Sequence, residues 1–126
     1  MLILAVAFAG AIGALARWGI STWMLDWLGP RWPWGTLAVN CAGCFLLGLL
    51  MEEGSHLHWL SPNLRLTLAV GFIGTLTTFS TWELDTWKLA RRGDMAWAAG
   101  NMALNVGLGF LLLWIGAAVA NRLWPA

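Results

Sequence analysis

Charged and turn-forming residues fall in clusters along this chain, and the stretches between the clusters are almost wholly apolar. The first apolar stretch runs from about Leu2 to Met24, with Arg17 inside it. Asp26 to Pro33 reads as a loop, punctuated by Gly29-Pro30 and Trp32-Pro33. The second stretch covers about Gly35 to Met51. A polar connection from Glu52 to Asn63 follows, holding His56, His58 and Pro62. The third covers about Leu64 to Leu89, and a short turn at Arg91, Arg92, Gly93 and Asp94 leads into the fourth, about Met95 to Ala120. Each stretch approaches the roughly 20 apolar residues that cross a hydrocarbon core. The pattern predicts one domain, an all-α membrane protein of four transmembrane helices (about 2–24, 35–51, 64–89 and 95–120). The N-terminal run lacks the basic leading segment of a signal peptide, and further spans follow it, so it reads as the first span.

Composition changes this picture little. Hydrophobic residues make up 60% of the chain and charged residues 10%, against roughly 25% charged in typical soluble domains. So few charges cannot coat a water-soluble globule, which makes the lipid bilayer the expected solvent. Eleven Trp and no Tyr are present. Many of the Trp (among them Trp18, Trp23, Trp27, Trp32, Trp34, Trp59, Trp97 and Trp124) lie near span ends, where an amphipathic ring suits the membrane interface. A formal net charge of +1 argues for no nucleic-acid partner. One membrane face receives Arg31, Lys88, Arg91 and Arg92, with Arg17 nearby, and the other receives Arg65 and Arg122. The positive-inside bias is modest, and such a chain is expected to insert either way.

Polar groups within the spans are the chemical pointers, because they are expensive in lipid. Asn40 sits in the middle of the second span, and Asn101 and Asn105 lie one turn apart on the fourth. For each, interhelical glue is the structural alternative to a functional role. The third span reads Gly71-Phe72-Ile73-Gly74-Thr75-Leu76-Thr77-Thr78-Phe79-Ser80-Thr81-Trp82, a poor helix interior by propensity. A break is predicted near its centre, where freed carbonyls suit a small cation and freed N–H groups and hydroxyls suit an anion. Glu83 and Asp85 lie beyond the break, and no acid occupies the centre of another span. Cys41 and Cys44 form a C-x-x-C on an apolar helix, without the βαβ setting of a redox site, and read as packing residues. His56 and His58 read as solvated. With no nucleophile–base pair, phosphate loop or cofactor motif, the chain is not expected to be an enzyme.

Three segments together resemble the small fluoride channels of the Fluc (CrcB) family: Gly10-Ala11-Ile12-Gly13-Ala14-Leu15-Ala16-Arg17-Trp18, Gly35-Thr36-Leu37-Ala38-Val39-Asn40-Cys41-Ala42-Gly43-Cys44-Phe45, and the Gly71–Trp82 stretch. Their order and the four-span length fit over essentially the whole chain. The resemblance implies an antiparallel, dual-topology homodimer in the bacterial inner membrane. It implies two fluoride pores at the subunit interface, and a structural sodium ion held by the backbone carbonyls of Gly74 and Thr77 from both copies. It places Asn40 toward the pore, Phe79 and Trp82 in the two positions of an aromatic box, and Arg17 near a pore entrance. Thr78, Ser80, Asn101 and Asn105 become pore or interface polar groups. Fluoride is small and strongly hydrated, so amide and hydroxyl donors must replace its water, and aromatic edges carry positive potential. Two positions depart from the family pattern. Trp82 stands where Phe is usual, either narrowing the pore or offering its indole N–H to the ion. Cys44 replaces a small residue.

The implied function is passive export of fluoride from the cytoplasm, relieving its toxicity. Two alternatives remain at this point. A small dual-topology multidrug transporter shares the size, but such transporters couple through a first-span glutamate, and here no acidic residue precedes Asp26. A non-transporting membrane scaffold would use the same polar groups for helix packing alone.

Overall fold

A computed structural model describes residues 1–51 and 60–125. The connection at 52–59, with Glu52, Glu53, His56, His58 and Trp59, lies outside the described residues. Four helical spans are long and apolar enough to cross a membrane: Leu2–Leu28, Trp34–Met51, Pro62–Arg91 and Met95–Leu123. The third is composite. It comprises α3 (Pro62–Leu66), a π-helical segment (Thr67–Ile73), the single turn α4 (Gly74–Leu76) and, after two extended residues, α5 (Phe79–Arg91). The others are α1 (Leu2–Leu28), α2 (Trp34–Met51) and α6 (Met95–Leu123).

Helix ends follow local chemistry. α1 runs past Met24 and through Asp26, which the sequence pattern assigns to a loop, because no breaker intervenes before Gly29. Trp23 and Trp27, one turn apart, stack at 5.6 Å between centroids and support the extra turn. Gly29 ends the helix with φ 77°, a conformation that only glycine adopts without strain. At the start of the third span Ser61 caps the helix: its hydroxyl accepts from the Leu64 N–H at 3.2 Å, and Pro62 fills the first helical position, where a missing N–H costs nothing.

The helices pack through small residues. α2 and α6 form the broadest seam. At Gly48 an added Cβ would strike the Leu113 carbonyl, and at Gly116 it would strike the Phe45 carbonyl, so glycine at both positions lets the two backbones meet. α1 lies against the π-helical segment and α2, and α5 lies against α6. The outer faces of α1 and α6 expose Phe8, Leu15, Trp18, Phe110 and Trp114, as lipid-facing surfaces do. Trp32 departs from the interfacial role its position suggests. It is only 5% exposed, packs with Leu89 and Ala98, and donates its indole N–H to the Trp97 carbonyl at 3.3 Å. The loop between α1 and α2 is thereby pinned to the turn between α5 and α6.

Candidate functional site

The third span breaks where its threonines predict. Thr77 (φ −83°, ψ 158°) and Thr78 (φ −152°, ψ 119°) are extended between α4 and α5. In a continuous helix the Thr78 N–H would return to the Gly74 carbonyl. Here it donates to Asn40 Oδ1 at 2.8 Å. The Thr81 N–H, which would return to Thr77, instead donates to Thr78 Oγ1 at 3.2 Å, capping α5. The Gly74 and Thr77 carbonyls thus lose their helical donors to side chains, the two positions at which the resemblance places sodium ligands. Gly74 is exposed on the protein surface. Among the described residues no cluster of three His, Cys, Asp or Glu can hold a metal, so a cation here would depend on backbone oxygens.

Asn40 repairs the break from α2. Its Nδ2 donates to the Thr78 carbonyl at 3.2 Å while its Oδ1 accepts from the Thr78 N–H. One side-chain amide therefore satisfies both backbone groups of one residue, as a paired strand would. Without it each group would stand unpaired at membrane depth, at about 1–3 kcal/mol apiece. The remaining Nδ2 proton goes to Asn105 Oδ1 at 2.9 Å.

From there the amides continue along α6. Asn105 Nδ2 lies 3.0 Å from both the carbonyl and the Oδ1 of Asn101. Asn101 is fully buried, and its Nδ2 donates to Thr86 Oγ1 at 2.8 Å. The Thr86 hydroxyl donates in turn to the Trp82 carbonyl at 2.8 Å. The backbone at Thr78 dictates the sense of this chain. A flipped Asn40 would set donor against donor and acceptor against acceptor, so its orientation is forced, and each amide after it follows.

The aromatic pair meets at the same place. Phe79 and Trp82 are T-shaped, with centroids 5.3 Å apart and planes at 68°. Phe79 is 70% exposed, and Trp82 is half-buried. The Trp82 indole N–H donates to the Asn101 carbonyl at 3.1 Å. This N–H, which the sequence leaves free to meet the ion, has a protein partner here. Beside the pair lies an open groove of about 330 Å³, lined by Asn40, Cys44, Gly74, Thr77, Thr78, Phe79, Trp82 and Asn105 among others. The residues singled out on three different spans thus converge on one surface groove, which polar and apolar side chains line together.

Three of the sequence candidates stand outside the groove lining: Ser80 is exposed, Arg17 is half-buried on α1, and Asn101 is fully buried, reaching the lining through Asn105 and Trp82. A second hollow of about 380 Å³ opens under the α1–α2 loop, lined by Arg31, Lys88, Arg92, Asp85 and Thr36 among others. There the Thr36 hydroxyl donates to Asp85 Oδ2 at 2.7 Å. Thr36 and Thr86 were not legible as polar partners, since a lone threonine in a span ordinarily bonds to its own helix.

The family described as CrcB-like protein, Camphor Resistance (CrcB), matches residues 4–117. The chain belongs to this family. Curated relatives agree over nearly the full length of the CrcB-like chain. It is 44% identical to the fluoride-specific ion channel FluC of Acidobacterium capsulatum over 119 residues, 94% of each chain. It is 47% identical to fluoride-specific ion channel FluC 1 of Symbiobacterium thermophilum over 115 residues, 90% of this chain and 93% of the relative. It is 41% identical to the FluC of Geobacter sulfurreducens over 121 residues, 96% of this chain and 98% of that one. With four apolar spans, the CrcB-like chain is a multi-pass bacterial membrane protein.

Proposed function

We propose that the protein is a fluoride-selective channel that lets fluoride leave the bacterial cytoplasm. It works without covalent chemistry and is not an enzyme. The observation that carries this reading is the convergence of Asn40, the Thr77–Thr78 break and the Phe79–Trp82 pair on one groove. The names of the relatives support the choice of ion. A passive path suffices for export, since an inside-negative potential drives an anion outward with about 2.3 kcal/mol per charge per 100 mV.

The groove is open on one side, and a second copy would close it. In this reading two antiparallel copies form a homodimer with two pores at their interface, each using the Asn40, Phe79, Trp82, Thr78 and Asn105 set. Arg17 and Ser80, which lie off the groove in one chain, would act from the mouth or from the partner. The Gly74 and Thr77 carbonyls, released from their helical donors, fit a structural sodium ion shared by both copies, because a hard cation favours oxygen ligands. Bound there, it would raise the potential felt by an anion in the groove.

Liposomes containing the purified protein should release fluoride rapidly and chloride hardly at all, with an ion-selective electrode as the readout. Equal release of both ions would rule out the selective pathway. Normal protection of exporter-deficient cells by both Asn40→Ala and Phe79→Ala would favour a scaffold.

A further inference from the structure

Resting on the reading of the groove as a fluoride path, we propose that Asn105 is the pathway's placeholder acceptor: its Oδ1 occupies the Asn40 N–H that fluoride takes, and the ion enters by replacing it. Asn40 has two Nδ2 protons, and both are committed, one to the Thr78 carbonyl and one to Asn105 Oδ1. The first bond holds the helix break together. The second joins two side chains that both line the groove. It is therefore the bond that an anion in the groove can displace without unmaking the fold.

Asn105 cannot ligate the anion itself without large loss. Its own N–H groups point to the carbonyl and Oδ1 of Asn101. Turning the amide to offer them to the groove would set its oxygen against two acceptors. Asn101 is held in turn, because it is fully buried and its Nδ2 is fixed on the Thr86 hydroxyl. Asn105 thus keeps its orientation, held through its nitrogen, and only the bond it accepts from Asn40 is given up. A hydrogen bond to a charged acceptor is roughly twice as strong as a neutral one, so fluoride outcompetes the amide oxygen. In the absence of the ion, this half-buried donor is never left unpaired.

The test is the fluoride concentration giving half-maximal efflux from liposomes. Asn105→Ala and Asn105→Val remove the competing oxygen and should lower that concentration by about three- to tenfold, the worth of one neutral hydrogen bond. Asn105→Asp keeps a stronger competitor in place, adds like charge, and should lose most of the flux. An unchanged or raised half-saturating concentration in both neutral variants would overturn the proposal, a raised value meaning that Asn105 ligates fluoride. If neither neutral variant assembles, amide resonances of the unaltered protein decide. On fluoride titration one Asn40 side-chain proton should shift and the other, on Thr78, should stay; no shift, or a shift in both, overturns the proposal. An unaltered protein that conducts no fluoride would instead reject the pathway on which the proposal rests.

Discussion

Asn40 closes the break in the third span with both ends of its side-chain amide. Replacing it with Ala strands the N–H and C=O of Thr78, and each buried unsatisfied group costs about 1–3 kcal/mol. Trp82→Phe keeps an aromatic side chain, though a smaller one, and removes one donor from a carbonyl that Asn105 also engages, a hydrogen bond worth about 0.6 kcal/mol in a membrane protein. Unfolding in detergent should therefore show Asn40→Ala several-fold more destabilising than Trp82→Phe. Comparable losses would mean that Asn40 does not hold the break. The sequence made Asn40 conspicuous because a lone amide at membrane depth demands a partner. It did not identify that partner as the backbone of Thr78. Nor did it place the Trp82 indole on Asn101, since which turn of α6 lies opposite the ring depends on how the helices pack.

At the level of the helices, hydropathy located all four spans, and the poor helix formers between Gly71 and Thr81 located the interruption. The π-helical segment ahead of it left no mark in the sequence. Thr67–Ile73 is mostly apolar, with no residue pattern that marks a wider turn, and it packs closely on α1, where a side chain at Gly71 would strike the Val6 carbonyl. Glycine likewise reads the same everywhere in sequence but not in space. On α6, a side chain at Gly116 would meet the α2 backbone, whereas one at Gly107 meets nothing within 4 Å. Gly116→Ala should destabilise the protein by about 1–3 kcal/mol, as overpacking does. Gly107→Ala should be neutral or stabilising by up to about 1 kcal/mol, the ordinary helix-propensity gain. Thermal unfolding of the two variants checks both signs, and a matching effect at the two sites would contradict the α2–α6 seam.

For the whole molecule, the single chain offers an open groove, an exposed Gly74 and released carbonyls that a second copy would complete. Its basic residues lean toward the face of Arg31, Lys88, Arg91 and Arg92, with Arg65 and Arg122 on the opposite face, a weak orientation signal. A C-terminal epitope should accordingly be found on both sides of the membrane in comparable amounts when protease protection is measured in intact cells. An epitope confined to one side would exclude an antiparallel pair.

The hydrogen-bond chain from Thr86 through the asparagines to Thr78 runs in one sense only, fixed by the backbone at its end. Each groove therefore has a polarity, and a pore built from parallel copies would pass current more easily in one direction. In an antiparallel pair the two polarities oppose one another across the membrane. The assembly would then be free of rectification although each of its pathways has a front and a back, with equal conductance at equal and opposite voltages.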